Sequence, residues 1–174
     1  MDINEFKRIS LNGRVSYSIR CFENLLFYLD YNVEDWEIVL EYLWQFTSIK
    51  YLDDWNGIIS EIIPENLLEF MSYEEHDFEY LDEDTFRYLY KLYQNIDGKI
   101  DYLMSAIYYI GASHSYSVIQ GYGQASFNRL TELINYMVKN HIPLPDIDSF
   151  RRFSIEENRG WGNKFDGRIL SKII

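Results

Sequence analysis

The chain has 174 residues, 47% of them hydrophobic and 25% charged, which is typical of globular proteins and excludes the disordered and fibrous classes. Its length suits one domain over residues 1–174, and its few glycines (9) and prolines (3) favour long ordered elements. The formal net charge of −12 argues against nucleic-acid and anionic-membrane binding, because both need a cationic face, and favours a cationic protein as partner.

The cysteine content and the N-terminal residues indicate the compartment. The single cysteine, Cys21, has no second cysteine to pair with, and the N-terminal residues contain no apolar signal-peptide core. No apolar run approaches the ~20 residues of a membrane-spanning helix. We therefore expect a cytoplasmic protein that does not contact a membrane.

Apolar residues recur at three- and four-residue spacing along most of the chain, and this spacing predicts amphipathic helices. Asp53 or Asp54 is predicted to cap the third helix, and Pro64 to break the chain after Ile63. The predicted helices cover residues 14–30, 32–46, 53–62, 64–70, 84–97, 100–110 and 126–138.

Three segments lack this spacing. Residues 72–84 are acidic, and four apolar side chains are expected to dock them as a long ordered loop: Tyr73, Phe78, Tyr80 and Leu81. Residues 112–125 are rich in small and hydroxyl residues and predict a loop, and the chain from 140 onward is expected to wrap the surface irregularly, pinned by Trp161 and Phe165. The fold class is all-α: an irregular single-domain bundle of about six to seven helices with an irregular C-terminal segment.

Negative charge is concentrated in one third of the chain. Residues 23–84 contain 18 acidic side chains and one basic side chain, Lys50, together with three of the four tryptophans. This concentration of negative charge has two interpretations. It forms either a solvated acidic face that only raises solubility or a docking surface that attracts a cationic protein. The predicted contact residues are Asp53, Asp54, Trp55, Glu74, Glu75, Asp77, Glu79, Asp82, Glu83 and Asp84.

No motif predicts a metal, a cofactor or a catalytic centre. The carboxylates around His76 do not follow the calcium-loop pattern, and no histidine belongs to an HExxH motif. His114 lies among hydroxyls in "SHSYS", but no GxSxG elbow accompanies it, so a polar loop between helices is the simpler interpretation. A small hydrolase that uses the His114 loop stays open as an alternative.

The small size, acidic charge, aromatic richness and lack of a catalytic motif resemble the bacterial immunity proteins encoded beside polymorphic or contact-dependent toxins. The closing "GWGNKFDGRILSKII" is also similar to such proteins. The resemblance implies an antitoxin that binds and neutralises a cognate cationic toxin domain, often a nuclease. A helical adaptor that binds a basic protein or peptide is the other open alternative.

Overall fold

The computed structural model describes residues 2–174, which fold into α-helices joined by loops and short 3₁₀ turns. Within residues 2–174 there is no β-strand, and one isolated antiparallel bridge joins Ile9 to Ser154. The all-α prediction is therefore confirmed. The α-helices are α1 (Leu11–Tyr28), α2 (Glu37–Trp44), α3 (Leu52–Ile62), α4 (Pro64–Leu67), α5 (Glu83–Tyr93), α6 (Gly98–Ala112) and α7 (Gln124–Lys139).

Helix α1 is the central element of the fold. It packs against α2, α6 and α7, and every residue from Leu11 to Leu26 except Asn24 is buried. The amphipathic spacing correctly predicts the apolar side of α1, but its polar side, which includes Arg14 and Glu23, is buried as well.

The C-terminal segment, residues 140–174, covers part of this polar side, including Asn12 and Glu23. The Asn12 side chain donates hydrogen bonds to the carbonyls of Gly162 (3.4 Å) and Asn163 (3.0 Å), about 150 residues away in the chain. The rings of Phe153 and Phe165 stack with their centroids 4.6 Å apart. Trp161 and Phe165 are half-buried against the core, so the prediction that they pin this segment is confirmed.

Arg14 ties the N-terminal turn to the loop between α6 and α7. Its Nε and Nη2 donate to the Phe6 carbonyl, Nη1 donates to the Gly123 carbonyl (2.8 Å) and the Ser126 hydroxyl (2.7 Å), and Nη2 also donates to the Tyr122 carbonyl. All five guanidinium donors are therefore used. Burial lowers the pKa of Arg14 to about 10, so the group stays charged at neutral pH.

Glu23 links the C-terminal end of the chain to the rest of the fold by hydrogen bonds. Its completely buried carboxylate accepts hydrogen bonds from Trp44 Nε1 (3.1 Å), the Ser171 hydroxyl and the Lys172 backbone N–H (3.0 Å). The Arg20 guanidinium lies 3.1 Å from it and supplies the opposite charge. The chain terminus is thereby attached to both α1 and α2.

The structure corrects three predicted helix starts. The helix predicted from residue 32 is a 3₁₀ turn over Val33–Trp36, followed by α2 from Glu37. Helix α1 begins at Leu11 with Ser10 as its N-cap, three residues before the predicted start. Helix α3 begins at Leu52, and Asp53 and Asp54 lie in its first turn instead of capping it, where their charge still complements the helix dipole. The predicted break before Pro64 is confirmed, because Ile63 has an extended backbone between α3 and α4.

Candidate partner-binding surface

The acidic residues 72–82 form an ordered loop against α3 and α5. The Phe78 ring lies 5.3 Å from Tyr73, 5.6 Å from Phe70 and 5.2 Å from Phe86, measured between centroids, and Leu81 is buried. The predicted docking of this segment by aromatic side chains is confirmed. Rings that lie against the body leave the charged side chains between them in solvent.

Glu61 on α3 fixes the second half of this loop. Its Oε1 accepts a hydrogen bond from the backbone N–H of Glu79 (2.8 Å), and its Oε2 accepts from the N–H groups of Tyr80 (3.0 Å) and Leu81 (2.9 Å). Tyr80 packs against Gly57 of α3, where a Cβ atom would overlap its ring. The backbone of the loop is therefore held to α3 at residues 79–81, next to the exposed side chains of Asp77 and Glu79.

Three tyrosines, Tyr80, Tyr42 and Tyr88, lie where segments that carry acidic side chains come close together. Burial raises the pKa of Tyr80, and the carboxylates of Glu79, Asp54, Glu61 and Asp53 raise it further. These side chains come from the loop, from the first turn of α3 and from its last turn. Carboxylates that are separated in sequence thus share one electrostatic environment.

Tyr42 on α2 is the second of these tyrosines. Burial raises its pKa, and Asp82, Glu41 and Glu61 raise it further, although a hydrogen bond with Thr85 opposes the shift. The carboxylates come from three separate elements around one phenol. Because Thr85 lies in the first turn of α5, its hydrogen bond with Tyr42 joins the N-terminal end of α5 to α2.

Tyr88 on α5 is the third. Its hydroxyl donates a hydrogen bond to the Asp35 carbonyl (2.9 Å), and burial followed by the carboxylates of Asp35 and Glu37 raises its pKa. A groove of about 340 Å³ opens beside it. The groove is lined by Glu34, Glu37, Ile38, Glu41 and Tyr88.

The predicted contact set did not include Glu34, Glu37 and Glu41. Their spacing of three and four residues places them on one helical face, so the sequence contained a signal for them. We define the acidic surface as a set of exposed and half-buried carboxylates on α2, on α3, on the 72–82 loop and on the first turn of α5, together with Glu34 of the turn before α2. It comprises Glu34, Glu37, Glu41, Asp53, Asp54, Glu61, Glu74, Glu75, Asp77, Glu79, Asp82, Glu83 and Asp84.

Trp55 does not belong to this surface, so its predicted contact role is wrong. The side chain is completely buried, its Nε1 donates to the Leu43 carbonyl (3.3 Å), and its ring lies 4.8 Å from that of Phe46. Trp36 and Trp44 are buried as well. Tyrosines such as Tyr42, Tyr80 and Tyr88 therefore reach the acidic surface, while Trp36, Trp44 and Trp55 belong to the core.

The nine predicted carboxylates differ in how much charge they leave free. Glu83 pairs with Arg87, and Glu75 accepts a hydrogen bond from the Met71 backbone N–H (2.8 Å). Asp82 caps α5 by accepting from the Thr85 N–H (2.8 Å), which lowers the pKa of its carboxyl.

Six others are available to a partner. Asp53, Glu74, Asp77, Glu79 and Asp84 are exposed, Asp54 is half-buried, and none of the six forms an ion pair within residues 2–174. Three of them stand on helices and three on the 72–82 loop. A cation that approaches this side of the protein therefore meets uncompensated negative charge.

The His114 loop has a different character. His114 Nε2 lies 3.2 Å from the Ser126 hydroxyl, but Ser126 is completely buried, donates to the Gly123 carbonyl (3.1 Å) and accepts from Arg14. Burial and the Arg14 charge lower the pKa of His114. A serine with this bonding holds the loop together and is not positioned as a nucleophile.

Within residues 2–174, no group of three or more His, Cys, Asp or Glu side chains is arranged to hold a metal ion. Across the same residues, no helix has the length and apolar character needed to cross a bilayer. The chain matches no family model, no curated protein and no solved structure.

Proposed function

We propose that this protein binds a cationic protein through the acidic surface. The observation that carries the proposal is geometric: Glu61 of α3 holds the acidic 72–82 loop by three hydrogen bonds, and Tyr88 of α5 closes a groove lined by Glu34, Glu37 and Glu41. A merely solvated acidic face needs no such arrangement, because repulsion between like charges favours their separation.

The anchoring of the loop supports the same proposal. Association is weakened when a flexible segment must be ordered, and a loop that is already fixed by Glu61 avoids most of that entropy loss. Focused negative charge also steers a cationic partner, which raises association rates by ~10 to 10³ at low salt. Exposed tyrosines such as Tyr88 supply contact area once the partner has docked.

The partner that we propose is a cationic toxin domain, with this chain as its immunity protein. A nuclease domain has a basic site that binds the phosphates of nucleic acid. An array of carboxylates presents a similar pattern of negative charge to that site. Binding that occupies such a site would block access of nucleic acid. In this proposal the protein has no reaction of its own, and neutralisation results from binding alone.

The test compares two variants with the same change in charge. Asp77→Lys with Glu79→Lys alters the acidic surface, and Glu156→Lys with Glu157→Lys alters the C-terminal segment by the same amount. Each variant and the wild type is used as bait in its native lysate at low and at high salt. The basic protein retained is then produced pure and titrated by calorimetry.

We expect the loop variant to bind the captured basic protein at least tenfold more weakly and with a shallower salt dependence, while the control variant binds like the wild type. Equal binding by both variants would contradict the assignment of the surface. Co-expression with the captured protein then decides the immunity role. Rescue of growth by the wild type supports it, and a captured protein that is harmless favours an adaptor instead.

A further inference from the structure

A small cavity lies between the connection from α2 to α3 and the C-terminal segment. Its volume is about 180 Å³, which is room for about six water molecules of ~30 Å³ each. Thr47 holds its two walls together. The Thr47 carbonyl accepts a hydrogen bond from the Phe165 backbone N–H (3.0 Å), and the Thr47 hydroxyl accepts one from the Gly167 N–H (3.0 Å).

The charge of this cavity is opposite to that of the whole chain. Lys50 and Lys164 line it, and its lining within residues 2–174 contains no Asp or Glu. We call it the Lys50–Lys164 cavity. Neither lysine forms an ion pair within the same residues, and the contact of Lys50 Nζ with the Tyr51 ring, 4.7 Å from its centroid, leaves the ammonium charge uncompensated. Because salt screens charges beyond about 10 Å, these two ammonium groups decide which ligand the cavity attracts.

Asn12 of α1 gives the cavity a fixed hydrogen-bonding group. The residue is only 6% exposed, and its Nδ2 already donates to the carbonyls of Gly162 and Asn163. Its amide therefore cannot turn over without losing both bonds. The Asn12 Oδ1 atom accepts no hydrogen bond within residues 2–174, yet it is not sealed from solvent. Since Asn12 lines the cavity, this oxygen is an acceptor for an O–H or N–H group bound there.

The backbone beside the cavity adopts an unusual conformation. Asn158, which lines the cavity, and Arg159 are consecutive residues with φ of 43° and 56°, and residues with a Cβ atom rarely adopt such values. The Asn158 Nδ2 closes this turn by donating to the Gly162 carbonyl (3.3 Å), and the Asn12 backbone N–H holds it to α1 by donating to the Trp161 carbonyl (2.9 Å). Backbone of this kind persists where the surrounding structure fixes it, and it concentrates at binding sites.

We infer that the Lys50–Lys164 cavity binds a small organic acid. A carboxylate pairs with the two ammonium groups by charge-assisted hydrogen bonds. The apolar body of the acid packs on the apolar part of the lining, which includes Phe46, Leu52 and Trp161. A hydroxyl or amine on that body donates to Asn12 Oδ1. No residue of the acidic surface lines the cavity, so this inference does not depend on the proposed function.

The test is a titration of the isotope-labelled full chain, followed by the chemical shifts of its backbone amides. The probe is para-hydroxyphenylacetate, which combines a carboxylate, an apolar ring and a hydroxyl donor. We expect saturable shifts at Lys50, Gly162 and Lys164. The neutral amide of the same compound keeps the shape without the charge and should bind at least tenfold more weakly, as expected for the loss of charge-assisted hydrogen bonds.

Substitutions of the two lysines assign the site. Lys50→Gln and Lys164→Gln remove charge from exposed side chains, and each should weaken binding of the acid about tenfold, whereas Lys164→Arg should retain it. Lys139→Gln, which removes the same charge from an exposed side chain on α7, is the control and should bind like the wild type.

Four results would overturn the inference. They are the absence of saturable shifts in the wild type, equal binding of the acid and its amide, equal binding by the wild type and both lysine-to-glutamine variants, and binding of inorganic phosphate as tight as that of the acid. The last result would indicate a bare cationic patch, because phosphate leaves the apolar part of the cavity uncovered.

Discussion

The hydrogen bonds of Glu61 predict how the acidic loop responds to a single substitution. Glu61→Ala removes the acceptor of three backbone N–H groups that lie 2.8 to 3.0 Å from its oxygens. The Glu79 and Tyr80 amides can regain water, at about 1 kcal/mol each, whereas the Leu81 amide belongs to a buried residue and loses roughly 1 to 3 kcal/mol. The loop should therefore be destabilised by at least about 3 kcal/mol.

The readout is hydrogen exchange of the amides of residues 79–81. A loss of about 3 kcal/mol corresponds to a fall in protection on the order of 100-fold, since each 1.4 kcal/mol is a factor of ten. Glu61→Gln keeps one side-chain oxygen and should lose less protection than Glu61→Ala. The matched control is Glu69→Ala, which removes the same charge from an exposed side chain close in sequence.

The direction of the change in hydrogen-exchange protection distinguishes anchoring by Glu61 from repulsion among the carboxylates. If repulsion among the carboxylates dominated the energetics of this surface, removing Glu61 would relieve it, and Glu61→Ala would be at least as protected as the wild type. That result would refute the anchoring role of Glu61. Equal loss of protection in Glu61→Ala and Glu69→Ala would refute it too, because only one of the two carboxylates binds the loop.

Three further predictions concern stability, each measured by denaturant unfolding. Gly57→Ala should destabilise the protein by about 1 to 3 kcal/mol, because the added methyl group displaces the Tyr80 ring, and a value below 0.5 kcal/mol would contradict that packing. Glu23→Ala should cost about 3 to 5 kcal/mol, since it leaves a buried Arg20 without its opposite charge, and a near-neutral effect would contradict the role of this pair. Burial and Arg14 lower the pKa of His114 below 6.5, so the unfolded state takes up a proton first and stability should fall as pH drops below about 6.5. His114→Gln should reduce this fall, and an identical pH profile would contradict it.

Local patterns predicted the helices well because each helix buries a stripe that is visible in sequence. In α3, Trp55, Ile59 and Ile62 share one helical stripe, and all three are buried. The same spacing argued that Trp55 belongs to the core, so its assignment to the surface overlooked evidence within the helix itself. Aromatic anchors likewise predicted that residues 72–84 are ordered.

The polar side of α1 shows where local patterns fail. Arg14 looks like a solvent-facing residue at the start of an amphipathic helix, and Asn12 lies before the predicted start. Yet Asn12 bonds to the C-terminal segment and Arg14 bonds to the α6–α7 loop. These contacts join residues more than 100 positions apart, and the C-terminal segment has no helical period of its own. The spacing of residues in α1 does not reveal that its polar side is buried. That burial depends on hydrogen bonds to particular backbone carbonyls in segments without regular secondary structure.

The convergence of the acidic surface was predicted only in part. The clustering of acid in residues 23–84 was visible in sequence, but the meeting of α2, α3 and α5 depends on tertiary packing around Tyr42 and Tyr88. The number of acidic residues in a segment also does not show which carboxylates already accept hydrogen bonds from the protein itself. Glu61 and Glu75 bind backbone amides of the chain itself, while Asp77 and Glu79 point outward.

The most direct test of the central claim is a hydrogen-exchange comparison of the protein alone and in complex with the basic protein that it retains. Binding through the acidic surface predicts new protection in residues 33–42 and 72–84, with residues 124–139 unchanged. The Asp77→Lys, Glu79→Lys variant should lose that protection at the same concentrations. Protection confined to another part of the chain, with residues 72–84 unaltered, would contradict the proposal.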